Sequence, residues 1–177
     1  MSRGTNSMAV TDKNFGIVIA FLIPGWLLLW GLSFSNREVA VWLSQPNASL
    51  TVAGFLFASL ASMGLGLLVS AIRWLVIDHV LVHLAGLTIP KLDFSKLSDP
   101  NRFAAFQGVV ENHYRYYQYY SNTLISVLIG FSIFLSNAAA RPTIEECVLV
   151  ALAIVALMLA SRDCFRKYYE RSADILS

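Results

Sequence analysis

The chain has 177 residues, 56% of them hydrophobic and 14% charged, with a formal net charge of +2 and a mean hydropathy of +0.61. Soluble domains carry about 25% charged residues; here the apolar excess falls into blocks of bilayer length, about 20 residues for roughly 30 Å of hydrocarbon. The small net charge does not call for nucleic acid, and two cysteines, Cys147 and Cys164, expected at opposite ends of one helix, exclude an intrachain disulfide framework.

Residues 1–10 are small and polar. Thr11-Asp12 is expected to cap a first helix from about Asn14 to Phe34, long enough to remain a span, so no signal peptide is expected. Pro24-Gly25 lies in its middle, a pair that kinks helices and is tolerated in lipid. Asn36 to Ser44 reads as a short interfacial helix with Trp42 at headgroup level, and Pro46-Asn47 as a turn. The sequon Asn47-Ala48-Ser49 falls on the outer side of this arrangement.

A second helix runs from near Leu50 towards Gly86 and leaves the membrane near Arg73 and Trp74, because Arg73, Asp78, His79 and His83 do not belong in hydrocarbon. After a loop from Leu87 to Ser98, Asp99-Pro100 signals a helix start, with Asp as N-cap and Pro at the first position. No proline follows before Pro142, so one helix is expected to about Asn137, roughly 57 Å long. Only about 30 Å of it fits a bilayer core, which leaves a stalk outside. Thr143 and Glu146 match a capping box for a last helix, which crosses the membrane to Ala160 and continues as a charged amphipathic tail to about Ala173.

The expected fold class is therefore all-α: a polytopic membrane protein with four transmembrane helices and a helical cytoplasmic extension. The whole chain reads as a single membrane domain with spans near 15–34, 50–73, 120–138 and 144–161, a stalk and loop at 74–119, and a C-terminal helix at 162–177. Lys and Arg set its orientation. Arg3, Lys13, Arg73, Lys91, Lys96, Arg102, Arg115, Arg162, Arg166, Lys167 and Arg171 fall on one side, against Arg37 and Arg141 on the other. The positive-inside rule then puts both termini in the cytoplasm. No internal repeat is evident.

Several residue sets could carry function. Gly54, Ala58, Ser62, Gly66 and Ser70 step by four along the second span. Small residues let helices approach closely, either within one subunit or at a subunit interface or pore. Asn122, Ser126, Gly130 and Asn137 form a weakly polar stripe on the third span, a structural feature or a pore lining. No acidic, basic or histidine residue is expected at mid-membrane, which argues against a proton-coupled transporter.

His113-Tyr114-Arg115-Tyr116-Tyr117-Gln118-Tyr119-Tyr120 places five tyrosines in seven positions, around the whole helix. An interfacial aromatic belt accounts for part of them. The rest, Tyr116, Tyr117 and Tyr120 among them, face neighbouring helices or, with Arg115, offer a platform for a base or an anion. His79 and His83 stand four apart beside Asp78, a spacing metals use, but only distant His113 could add a third ligand, so no metal and no cofactor is expected. Arg162, Asp163, Arg166, Lys167, Glu170 and Arg171 make a charged, solvated helix face. No phosphate loop, nucleophile elbow or metalloprotease helix is present, and no enzyme is expected.

The stretches Ser70 to Asp78, Glu111 to Tyr120 and Ser161 to Tyr169 resemble a group of small bacterial inner-membrane proteins of unassigned activity. Small four-span proteins with a short cytoplasmic part are similar to membrane effectors of antiviral defence systems. The resemblance implies an inner-membrane location and an effector that forms oligomeric pores when triggered. The reading is a homo-oligomeric channel, anion-preferring and gated from the cytoplasm by a regulatory protein or an anionic ligand such as a nucleotide or oligonucleotide. In it Arg73, Asp78, His79, His83, His113, Arg115, the tyrosines, Arg162, Asp163 and Arg166 line a vestibule. The alternative is a non-conducting scaffold or anchor for a soluble partner; a membrane enzyme comes third.

Overall fold

A computed structural model describes Gly16 and residues 18–44, 52–78, 90–137 and 142–176. Among these residues the chain is all-helical. Helix α1 opens with a π-helical turn, Val18–Leu22, and continues as Ile23–Ser33; α2 is Arg37–Ser44. Helix α3 spans Val52–Arg73 and passes into a π-helical turn, Trp74–Asp78. A 3-10 turn, Phe94–Ser98, precedes α4, Pro100–Ser136, which is interrupted by a third π-helical turn, Val110–Tyr114. Helix α5 is Ile144–Leu176, about a turn longer than the sequence suggests.

Local chemistry places the helix starts. Asn36 Oδ1 accepts from the backbone N–H of Glu38 at 2.9 Å and starts α2. Asp99 Oδ1 accepts from Asn101 N–H at 2.9 Å, with Pro100 at the first position of α4. At α5 the capping box closes both ways: Glu146 N–H donates to Thr143 Oγ1 at 3.2 Å and Thr143 N–H to Glu146 Oε2 at 2.8 Å.

Among the described residues three helices are long and apolar enough to cross a membrane: Gly54–Asp78, Pro100–Ser136 and Ile144–Leu176. The first helix differs from the expectation of four. Its described part has five π-helical and eleven α-helical residues, about 24 Å, short of a 30 Å core. The last two helices, of 37 and 33 residues, are longer than a bilayer core requires, and their surplus packs together as an extension.

Helix α1 is wedged between α3 and α4, with α5 on the other side of α4. Residue pairings fix the directions. Gly25 meets Ser62 and Gly66 meets Phe21, so α3 runs antiparallel to α1. Gly31 meets Gly130 and Phe34 meets Phe134, so α4 runs parallel to it. Leu28, Val69, Ile77, Leu124 and Ile125 form the buried apolar core. The outward faces of α3 and α5 are apolar and exposed, including Leu60, Leu67, Leu68 and Leu75 on α3 and Leu149, Leu152, Met158 and Leu159 on α5. Water disfavours so large an apolar surface, and hydrocarbon does not.

Candidate functional site

Polar groups concentrate on the inner face of α4 and at the bundle end where the tyrosines lie. Arg73 is only 3% exposed. Its Nη1 donates to Asp78 at 2.9 and 3.2 Å, and its guanidinium carbon lies 5.1 Å from the centre of the Tyr117 ring. The Tyr117 hydroxyl, on a fully buried side chain, donates to the same carboxylate. Arg73 and Asp78 therefore neutralise each other on the wall of α4, and Arg73 is not a free cation. The π-helical turn makes the pairing possible. Five residues is about 1.4 turns of an α-helix, which separates the two side chains in azimuth; the wider i→i+5 turn brings them to one face.

The two asparagines of the α4 stripe serve α1. Pro24 has no N–H for the carbonyl four residues before it, so Ala20 is left with a free acceptor, and Asn122 Nδ2 donates to it at 2.8 Å. Asn137 Nδ2 donates to Phe34 O, past the end of α1, at 2.8 Å. Between them Ser126 is buried, and Gly130 lets α1 touch α4: a Cβ on Gly31 would lie 2.5 Å from the Gly130 Cα. The stripe, read from sequence as a structural feature or a pore lining, thus faces α1, inside the subunit. Ser62, Thr123 and Ser126 hydroxyls and Asn122 Oδ1 are buried there without a protein partner among the described residues.

The small-residue ladder divides. Ser62 and Gly66 are buried against α1, Ala58 and Ser70 are half-buried, and Gly54 is exposed. A Cβ on Gly66 would stand 2.0 Å from Phe21 O, and one on Gly25 1.7 Å from Ser62 O. Such approach is open only to glycine.

The tyrosines form part of an aromatic seam between α4 and the far half of α5. Tyr117 packs on Phe165 at 4.7 Å and Tyr114 on Tyr168 at 5.1 Å; the seam continues through Phe106 to Phe94. Arg102 Nη1 closes it by donating to Ile175 O at 3.1 Å. Outside the seam, Tyr116 is exposed and stacks on half-buried Tyr120 at 6.4 Å. Arg115 is half-buried alongside Gly16, and its Nε has no partner among the described residues.

Phe165, Tyr168, Tyr169, Ser172 and Leu176 are the residues that sequence reasoning missed. Their three- and four-residue spacing marks one helical stripe, with Phe165, Ser172 and Leu176 buried and the two tyrosines half-buried, opposite the charged face that drew attention instead. On that face Asp163 bridges Lys167 at 2.6 Å and Arg166 at 3.0 Å, while Arg162 is exposed. Arg171, Lys167 and Asp163 act on His113, whose pKa lies below the usual 6.5, chiefly through burial and then through the two cations, with Asp163 opposing. His79 and His83, like the side chain of Trp42, lie outside the described residues. Among the described residues no three His, Cys, Asp or Glu side chains gather as metal ligands.

The chain matches no family model, no curated protein and no solved structure.

Proposed function

We propose that the chain is a four-span bacterial inner-membrane protein with both termini in the cytoplasm, and that several copies form a channel which this conformation holds shut at its cytoplasmic end. In this reading the apolar block at 15–34, about 20 residues, supplies the first crossing. The Arg73–Asp78–Tyr117 cluster carries the reading. For stability alone, a buried ion pair is worth no more than well-packed apolar residues. Ionisable groups buried beside a span are functional candidates by default, and π-helical turns recur at functional sites. The cluster ties α3 to α4 where the bundle meets the extension, as a gate requires.

One copy has no lumen along its tight glycine contacts, so conduction needs several copies around an axis. Ser132 and Ser136, exposed on α4, are the weakly polar groups left to face it. Arg115 and Arg162 favour anions at the cytoplasmic mouth, and the Tyr116–Tyr120 pair is the surface on which a nucleotide or oligonucleotide trigger would stack. A role as a defence effector follows from the resemblance alone.

Ion flux from liposomes tests this. Wild type is expected to leak slowly, and Asp78→Asn or Tyr117→Phe several-fold faster, with reversal potentials in asymmetric chloride set by the anion. Silence from all three proteins, folded and reconstituted, would favour a non-conducting anchor for a soluble partner. The lumen-free packing of Gly25 on Ser62 and Gly31 on Gly130 supports that second reading. Stable co-purification of a soluble protein would then identify it.

A further inference from the structure

At the end of the bundle opposite the tyrosines, α1, α4 and α5 leave a groove of about 520 Å³. Leu27 and Trp30 of α1, Phe131 and Phe134 of α4, and Leu149 and Ala153 of α5 line it. The groove is open along its side, and so apolar a surface holds no ordered water; in a bilayer it is filled by hydrocarbon.

Polarity is confined to the two ends: Ser126 at the inner one and Glu146 at the mouth. Glu146 lies one turn into α5, past the Thr143 cap, where the helix enters hydrocarbon. One of its oxygens caps the helix, and the carboxylate is exposed. Among the described residues neither it nor Glu145 has an ion-pair partner. Ala153 lies seven residues further along α5, about 10 Å deeper. An anionic mouth over an apolar slot fits an amphiphile with a cationic head and a hydrocarbon tail.

We propose that the groove is a binding site for a bilayer lipid with a primary ammonium headgroup. Its ammonium meets the Glu146 carboxylate, and one acyl chain lies along Leu149 and Ala153 against Trp30. A primary ammonium offers three N–H donors to the carboxylate; a quaternary one offers none. The Trp30 and Phe34 rings, 4.9 Å apart at the mouth, add an attractive π surface for the cation. The site rests on the bundle lying in a bilayer, and not on conduction.

Native mass spectrometry of the purified full chain tests it, with phosphatidylethanolamine, phosphatidylcholine and phosphatidylglycerol of identical chains added in turn. One phosphatidylethanolamine per chain is expected to be retained, about tenfold more firmly than either other lipid. Glu146→Gln keeps the cap and the volume, so it should abolish the preference over phosphatidylcholine without unfolding the protein. Ala153→Phe should abolish retention by filling the slot, while Leu159→Ala, exposed elsewhere on α5, should not. Equal retention of all three lipids by wild type, no retention at all, or a preference that survives Glu146→Gln would overturn the proposal.

Discussion

Arg73 reaches Asp78, five residues further along its own helix, at 2.9 Å, and both meet Tyr117 of α4. The pairing and the π-helical turn depend on each other: without the turn the side chains diverge, and without the pair the turn loses its compensation. Asp78→Asn is expected to destabilise the protein by about 3 kcal/mol, because it leaves a buried guanidinium unpaired. Adding Arg73→Gln should recover part of that loss. Thermal unfolding in detergent measures both, and strict additivity in the double-mutant cycle would show that the pair is not coupled.

Glycines that look alike in sequence should behave differently. Gly66→Ala drives a methyl against Phe21 O and should cost 1–3 kcal/mol through displaced helices. Gly64, two residues away, has nothing within 4 Å of an added Cβ. Gly64→Ala is expected to leave the unfolding temperature unchanged or raise it, since alanine is the better helix former. Equal losses from both would show that α3 does not pack on α1 through this face.

The lowered pKa of His113 makes the extension sensitive to acid. The unfolded chain binds a proton near pH 6.5 and the folded one only at lower pH, so the favourable contribution is complete above 6.5. It falls as pH drops through the folded pKa. Unfolding temperatures of wild type at pH 7.5 and 5.5 should therefore differ more than those of His113→Asn. An identical pH response in the variant would exclude His113 as the source.

Topology has a direct readout. A reporter active only in the periplasm, fused after Ser177, should be silent, and the same reporter inserted at Asn47 should be active. A three-crossing arrangement, in which α1 does not span, leaves both of these results unchanged and moves only the N-terminus, so a third reporter fused ahead of Met1 should be silent, and its activity would show that α1 does not cross.

The sequence by itself determined most of the helices and two of their capped starts. Hydrophobic block length marked four spans, of which three are helices long enough to cross among the described residues, and Asp99 and the Thr143–Glu146 box began helices, because capping is local chemistry between residues two or three apart. Pro24 announced a break in α1 for the same reason. Only the tertiary structure decided where the polar groups point. Periodicity put Asn122, Ser126, Gly130 and Asn137 on one face, but a face can turn to a pore or to a neighbouring helix. The free carbonyls of Ala20 and Phe34, more than a hundred residues away, turn it inward. Likewise Arg73 and Asp78 share a face only because α3 widens into a π-helical turn, which no 3.6-residue reading of the sequence contains.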